Sequence, residues 1–129
     1  MIRAQTGVVD MIETLKNFQL TIKQQGHVLP LLERVNIRLN LVCEQKNIQI
    51  IIRNGEVLSI FDSEPADTLP EIRGDLQAMK QLLEGKERLR ALERSGQISI
   101  TASLRTTLLL ESIFYLTKAQ ENFATARNF

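Results

Sequence analysis

Residues 48–61 read IQIIIRNGEVLSIF, two apolar runs separated by the pair Asn54-Gly55. Asn and Gly tolerate positive backbone φ angles, so this pair between two apolar runs predicts a β-hairpin closed by a two-residue type I′ turn. The closing pair, Arg53 and Glu56, then carries opposite charges, which favours this register. The register that follows pairs Arg53 with Glu56, Ile52 with Val57, Ile51 with Leu58 and Ile50 with Ser59.

The predicted hairpin carries apolar side chains on both faces. Side chains alternate between the faces of a strand, and a face in contact with water normally alternates to polar residues. Each face of this sheet therefore needs cover, by helices, by a ligand or by a second subunit. Ile48, Ile52, Val57 and Phe61 lie on one face, and Ile51, Leu58 and Ile60 lie on the other.

Three further strands are predicted around the hairpin. From Val35 to Cys43 apolar residues recur at every second position, and residues 45–47 can turn this strand into the hairpin. Thr68 to Arg73 is a candidate strand, but Pro70 lacks a backbone N–H and therefore argues for a sheet edge or a bulge. Ile98, Ile100 and Ala102 indicate another strand.

The remaining segments have helical periodicity, and we interpret all six glycines as boundaries between elements. Val8, Met11, Ile12, Leu15, Phe18 and Ile22 form one apolar stripe between Gly7 and Gly26. Asp75 is a suitable N-cap for a helix that ends at Gly85, and a second short helix is predicted from Lys86 to Arg94. A long helix from Leu104 to Phe123 has apolar residues around most of its circumference, so we expect it to be buried on more than one side.

Length and composition suit one soluble domain over residues 1–129. Hydrophobic residues make up 43% and charged residues 24% of the chain, close to globular averages. Sixteen basic and fifteen acidic side chains give a formal charge of +1. Proteins that bind nucleic acids neutralise many phosphates and usually carry a larger positive charge, so we expect no nucleic-acid partner.

The sequence predicts a cytoplasmic protein. Asp10, Glu13 and Lys16 interrupt the hydrophobic residues near the N-terminus, which is not typical of a signal peptide. No stretch is long and apolar enough to cross a bilayer. The last residues, Ala126 to Phe129, differ from a peroxisomal Ser-Lys-Leu address.

No residue pattern in the chain is typical of catalysis. His27 is the sole histidine, which argues against a His-based triad or a multi-His metal site, and a capping or surface role is expected for it. Cys43 lies on the apolar side of a predicted strand, where a buried thiol is expected. Gly85-Lys86 lacks the glycine-rich turn of a phosphate loop. We therefore expect that the protein is not an enzyme and that it binds neither a metal ion nor a cofactor.

The order of these elements resembles the sterol carrier protein type-2 family over residues 35–120. The resemblance implies an α+β fold, with a five-stranded, mostly antiparallel sheet covered by helices. It also implies an apolar tunnel that takes fatty acids, acyl-CoA, sterols or other lipids without a prosthetic group. The matching features are the strand–Asn54-Gly55–strand unit, Ala66-Asp67, Gly74-Asp75-Leu76, Leu82-Leu83-Glu84-Gly85-Lys86, Ala91 and Gly96-Gln97-Ile98-Ser99-Ile100.

The family's pocket is defined by shape and apolarity, so we nominate a surface rather than a polar motif. Lys86 or Arg88 is a candidate for attracting an acidic head group, and Tyr115 for orienting it. The sequence departs from the family at Pro70, where a regular strand is usual, and at the C-terminus, so the ligand class is left open. The candidate lining residues are Ile50, Ile52, Val57, Met79, Leu83, Leu109, Ile113 and Leu116.

Two functions are compatible with these patterns. In the first, the domain binds or transfers a hydrophobic ligand, with transient membrane contact as one route of delivery. In the second, side chains fill the tunnel and the domain serves as a homodimerisation or protein-interaction module without lipid. Plain core residues and cavity-lining residues have the same apolar identity, so the sequence leaves both open.

Overall fold

The computed structural model describes the backbone of residues 2–25, 33–64 and 67–127, and the side chains of residues 11–24, 33–64 and 67–115. Four helices and five strands have both ends within these ranges, and residues 33–34 are also helical. Their bounds are α1 (Ile2–Gln25), β1 (Asn36–Cys43), β2 (Lys46–Arg53), β3 (Glu56–Phe61), β4 (Glu71–Gly74), α2 (Leu76–Leu83), α3 (Leu89–Arg94), β5 (Ile98–Thr101) and α4 (Leu104–Arg127).

The five strands form one mixed sheet in the order β3-β2-β1-β4-β5. Neighbouring strands are antiparallel, except that β1 and β4 run parallel. The chain reaches β4 from β3 by crossing β2 and β1, which requires a longer connection than a hairpin turn. This architecture confirms the predicted α+β fold with a five-stranded, mostly antiparallel sheet.

The Asn54-Gly55 hairpin has the predicted turn and the predicted register. Both turn residues have positive φ, 53° at Asn54 and 76° at Gly55, as a type I′ turn requires. Arg53 lies opposite Glu56, and the pairing continues without a bulge to Ile48 opposite Phe61. Local turn chemistry is therefore sufficient to fix the register of these two strands.

The turn between β1 and β2 differs from the prediction. Residues 45–47 were expected to form it, but Glu44 and Gln45 do, and Lys46 pairs with Cys43 as the first residue of β2. Both turn residues have positive φ, 49° and 72°, which costs a non-glycine residue about 1 kcal/mol or more. The eight-residue ladder between two buried strands offsets this strain.

The strand predicted from Thr68 to Arg73, with a sheet edge or a bulge at Pro70, needs correction. The observed strand β4 starts at Glu71 and lies inside the sheet between β1 and β5. Pro70 precedes this strand, so its missing N–H removes no bond from the ladder, and its carbonyl oxygen accepts a hydrogen bond from the Asn40 N–H at 2.8 Å. The proline thus delimits a central strand without interrupting its ladder.

Three predictions about helices need correction. Gly7 lies inside α1 and does not precede it. The short helix begins at Leu89 rather than Lys86, and α4 continues to Arg127. Between Leu104 and Tyr115, α4 is buried along one broad face only, since Leu104, Leu108 and Tyr115 are 63%, 41% and 46% exposed.

The two faces of the sheet differ in burial. The inner face packs against the helices and carries the fully buried side chains Leu41, Ile52 and Ile72. The outer face is polar across β4 and β5, where Glu71 lies opposite Thr101 and Arg73 opposite Ser99. Apolar residues on the outer face concentrate at the other end, where Leu58 and Ile60 of β3 are nearly half exposed.

Gly74 marks a close approach between β4 and β5. A Cβ atom at this position would lie 2.7 Å from Cγ2 of Ile98 and 3.2 Å from the carbonyl oxygen of Gln97. Ile98 is itself buried, so it has little room to move. Glycine is therefore required here for space, and its φ angle does not lie in the left-handed region.

We predict that Gly74→Ala lowers the free energy of unfolding by about 1–3 kcal/mol, the usual range for overpacking a core. Urea unfolding measures the change. In an Ile98→Ala background, where Cγ2 is absent, the same substitution should cost less than half as much. An equal cost in both backgrounds would show that the contact with Ile98 is not the cause.

Candidate functional site

The described members of the predicted lining set lie in one continuous apolar interior between the sheet and the helices. Ile50, Ile52 and Val57 contribute from the inner face of β2 and β3, and Met79 and Leu83 from α2. Each of these five is at most 6% exposed. The structure thus brings residues from distant parts of the chain into one cluster, although burial alone does not distinguish a tunnel lining from a packed core.

The last helix contributes the opposite wall of this interior. Ile113 is fully buried, and Leu109 is partly buried at the margin of the cluster. Phe114 packs against Phe18 of α1 with ring centroids 5.4 Å apart and a tilt of 43°, a common arrangement for aromatic pairs. The side chain of Leu116 lies outside the described residues.

Helix α2 is held in place by its N-cap. The carboxylate of Asp75 accepts a hydrogen bond from the Ala78 N–H at 2.8 Å, which satisfies one of the free donors of the first turn. This cap follows directly on β4, so the sheet fixes where the helix begins. Its buried face then carries Ala78, Met79, Leu82 and Leu83 toward the core.

The polar margin near α3 gathers the residues nominated for a ligand head group. The guanidinium of Arg88 stacks on the ring of Tyr115, with Cζ 4.4 Å from the ring centroid, a favourable cation–π distance. Lys86 instead forms an ion pair with Glu84 at 3.5 Å. Arg88 and Tyr115 therefore form one unit at the surface, whereas the charge of Lys86 is partly compensated.

A glutamate side chain from α4 accepts a hydrogen bond from the first turn of α3. Arg88 is the N-cap residue and provides no side-chain hydrogen bond. Oε2 of Glu111 accepts from the Arg90 N–H at 3.0 Å instead. A negative charge is favourable at a helix N-terminus, so this contact ties α3 and the Arg88–Tyr115 pair to α4.

Cys43 is a buried thiol, as predicted. Its side chain lies on the inner face at the end of β1 and is 5% exposed. Burial, and to a smaller extent the charges of Glu44 and Asp75, raise the pKa of the thiol to about 11. A thiolate is the reactive form of cysteine, so this environment opposes nucleophilic chemistry at neutral pH.

The described residues also bear on metal binding and on membrane insertion. No group of three or more His, Cys, Asp or Glu side chains is arranged to hold a metal ion within these ranges. None of the helices, over the same ranges, is long and apolar enough to cross a membrane. The predicted surface or capping role of His27 lies outside the described residues.

A groove that sequence patterns did not indicate lies between α1 and the edge strand β3. It has a volume of about 370 Å³. Its two walls are 33 or more residues apart in the chain, and no local pattern relates them. The lining residues are Lys16, Gln19, Leu20 and Lys23 of α1, and Glu56, Val57 and Leu58 of β3.

Comparison with solved structures relates the fold to known domains. The crystal structure of sterol carrier protein-2 like-3 from Aedes aegypti has a TM-score of 0.58 at 14% identity, covering 78% of this chain and 95% of that one. The solution structure of sterol carrier protein domain 2 of Helicoverpa armigera also has a TM-score of 0.58, at 13% identity, with 81% and 87% coverage. The chain therefore has a sterol carrier protein 2-like fold.

A part of a larger enzyme has a similar fold. The stereoselective inverting sec-alkylsulfatase of a Pseudomonas species has a TM-score of 0.52 at 18% identity. The match covers 61% of this chain but spans 12% of the sulfatase chain. No family model matches the sequence, and no curated protein is significantly similar to it.

We predict that the Cys43 thiol of the native protein reacts with a disulfide reagent at pH 8 roughly a hundred-fold more slowly than in urea. The pKa rises from 9.0 to about 11 on folding, and two pKa units correspond to a hundred-fold lower thiolate fraction. Absorbance of the released thiol measures both rates. Equal rates would contradict the burial of this group.

The same pKa shift predicts how stability depends on pH. The folded thiol holds its proton more tightly than the unfolded thiol, so this group has no effect on stability well below pH 9. As pH rises from 9 toward 11, the unfolded state ionises first and the free energy of unfolding falls. Cys43→Ala should lose this decrease, which urea unfolding at pH 8 and pH 10.5 can test.

Proposed function

We propose that the protein binds or transfers a hydrophobic ligand, held without covalent chemistry between the inner face of the sheet and helices α1, α2 and α4. The observation that carries this proposal is the sterol carrier protein 2-like fold over most of the chain, and the apolar interior between its sheet and helices supports it. The ligand class is a fatty acid, acyl-CoA, sterol-like molecule or other lipid. We further propose that residues 1–129 act as one such domain in the cytoplasm and that the domain is not an enzyme.

The physical basis of binding in this proposal is burial of the ligand's apolar part. Each Å² of apolar surface removed from water contributes about 25 cal/mol before the costs of association. The proposed lining consists of the residues nominated from the sequence: Ile50, Ile52, Val57, Met79, Leu83, Leu109, Ile113 and Leu116. Seven of them lie in or against one buried cluster, which supports a shared role.

The second candidate is an interaction module without lipid, such as a homodimerisation domain. The observation that favours it is the exposed stripe on α4, where Leu104, Leu108 and Tyr115 follow one another at four- and seven-residue intervals. Such spacing places all three on one side of the helix. Single exposed apolar residues are common on proteins, so we rank this function second.

We predict that native mass spectrometry of the purified protein detects one bound lipid per chain, which organic extraction then identifies. Leu109→Trp should reduce the bound fraction, because Leu109 lies at the margin of the interior and a larger side chain there occupies ligand space. Leu108→Trp is the matched control, since this neighbour is exposed on the same helix.

Thermal unfolding of both variants separates a blocked site from a damaged fold. A folded Leu109→Trp protein that carries as much lipid as Leu108→Trp would remove Leu109 from the site. A dimer without lipid that stays empty after exposure to fatty acid, acyl-CoA and sterol would contradict the carrier function and favour the second candidate.

A separate prediction concerns the head group. The double variant Lys86→Gln/Arg88→Gln should bind a fatty acid about threefold to tenfold more weakly and the corresponding fatty alcohol with unchanged affinity, because exposed charge pairs are worth about 0.2–1 kcal/mol each. Fluorescent-lipid displacement measures both affinities. Arg105→Gln, which removes one positive charge from α4, is the control. If the double variant binds the acid as well as the parent protein does, neither cation contacts the head group.

A further inference from the structure

Strand β3 is an edge of the sheet with free hydrogen-bonding groups. In a two-residue hairpin the closing pair is hydrogen-bonded, and pairs then alternate along the ladder. The N–H and C=O groups of Val57, Ser59 and Phe61 therefore point away from β2. An edge of this kind is a template for one more strand.

One of these outward groups is already occupied by a side chain. Nε2 of Gln19, on α1, donates to the Val57 carbonyl oxygen at 2.8 Å and lies 3.4 Å from Oγ of Ser59. Among the described residues, no hydrogen bond from outside the ladder reaches the backbone of Ser59 or Phe61. Within the described part of the chain, the edge is thus closed at its beginning by α1 and open at its end.

The side chains around this open edge are unusually apolar. Leu58 and Ile60 are 43% and 46% exposed on the outer face, and Phe61 is 39% exposed on the inner side. Leu20 of α1, at 56%, lies across the groove from β3. Leu20 and Leu58 line the same groove, so exposed apolar side chains of α1 and β3 lie close together here, and contiguous apolar surface marks interaction sites.

The charges along the groove indicate the charge of the partner. Lys16 and Lys23 are one helical heptad apart on the wall formed by α1, and neither ammonium group has an ion-pair partner among the described residues. Glu56 also lines the groove and lies opposite Arg53 in the ladder. The side chains that line the groove therefore carry a net positive charge, which favours an acidic partner.

We propose that the β3 edge binds an extended, acidic segment of a partner polypeptide, which adds to the sheet as a sixth strand beside β3. Backbone donors and acceptors that repeat every two residues match another extended peptide. An acyl chain has no such groups. Apolar side chains of the added strand would cover Leu58 and Ile60, and acidic ones would reach Lys16 and Lys23. This binding site lies at the edge of the sheet, whereas the proposed lipid site lies in the interior, and Val57 borders both.

The test titrates the ¹⁵N-labelled protein with an acetylated and amidated octapeptide of alternating glutamate and valine, up to about 1 mM. We expect shifts in the amide resonances of Ser59 and Phe61 and slower hydrogen exchange at both. The same peptide with every backbone amide N-methylated lacks donors on both edges and should not bind. Absence of shifts at β3, or equal binding of the N-methylated peptide, would overturn the proposal.

Variants separate the contribution of the lysines from that of the backbone. Lys16→Gln/Lys23→Gln should bind the peptide about threefold to tenfold more weakly and lose most of the salt dependence of binding. Lys80→Gln on α2 is the matched control and should bind normally. A peptide with lysine in place of glutamate should bind the parent protein more weakly. Equal affinity for the two peptides would contradict the proposal that the partner segment is acidic.

Other occupants of the edge give different results. Concentration-dependent shifts at Ser59 and Phe61 without peptide would mean that a second copy of the chain pairs there. Shifts on addition of phosphatidylglycerol vesicles, with none from the peptide, would mean that the surface contacts lipid. Either result would replace the proposed partner. The peptide titration uses no lipid and the lipid measurement uses no peptide, so failure of one proposal is distinguishable from failure of the other.

Discussion

Burial of one apolar face of the sheet against helices is the interaction on which the rest of the structure depends. Strands β1, β2 and β4 present Leu41, Ile52 and Ile72 to the helices with almost no solvent exposure. No pair of strands is stable alone in water, so the sheet, α1, α2 and α4 must form together. The Phe18–Phe114 contact joins the two long helices above this face, which closes the interior on the side opposite the sheet.

The sequence predicted those parts of the fold that local chemistry determines. The pair Asn54-Gly55 is sufficient for the β2–β3 register because both residues accept positive φ. Asp75 predicted the start of α2 because its carboxylate caps the first turn. The Glu44-Gln45 turn was missed because neither residue favours positive φ, and long-range pairing of two buried strands imposes the conformation. Pro70 was misplaced for a similar reason, since its partner Asn40 is remote in sequence.

Features that depend on tertiary structure were harder to predict from the sequence. The candidate lining residues could be nominated by apolar periodicity, and all those described lie in or against the interior. Their roles are nevertheless set by how closely the facing helices approach, which periodicity does not encode. No sequence pattern indicated the groove beside β3. Gln19 and Val57 are 38 residues apart, and neither residue type predicts a hydrogen bond between a helix and a sheet edge.

The two ends of the sheet have different means of avoiding unwanted association. At the β5 end the outer face is polar, with Glu71 opposite Thr101 and Arg73 opposite Ser99. At the β3 end the outer face is apolar, and protection comes from α1, through the Gln19 hydrogen bond and the nearby lysines. Charged residues beside an edge strand commonly discourage indiscriminate pairing. Lysines discourage it selectively, since they repel basic strands and attract acidic ones. Because α1 also covers the interior, any displacement of α1 by a ligand would move Gln19 and the two lysines with it. The interior and the edge of β3 are thus connected through a single helix, which packs on the core through Leu15, Phe18 and Ile22 and reaches the edge through Gln19.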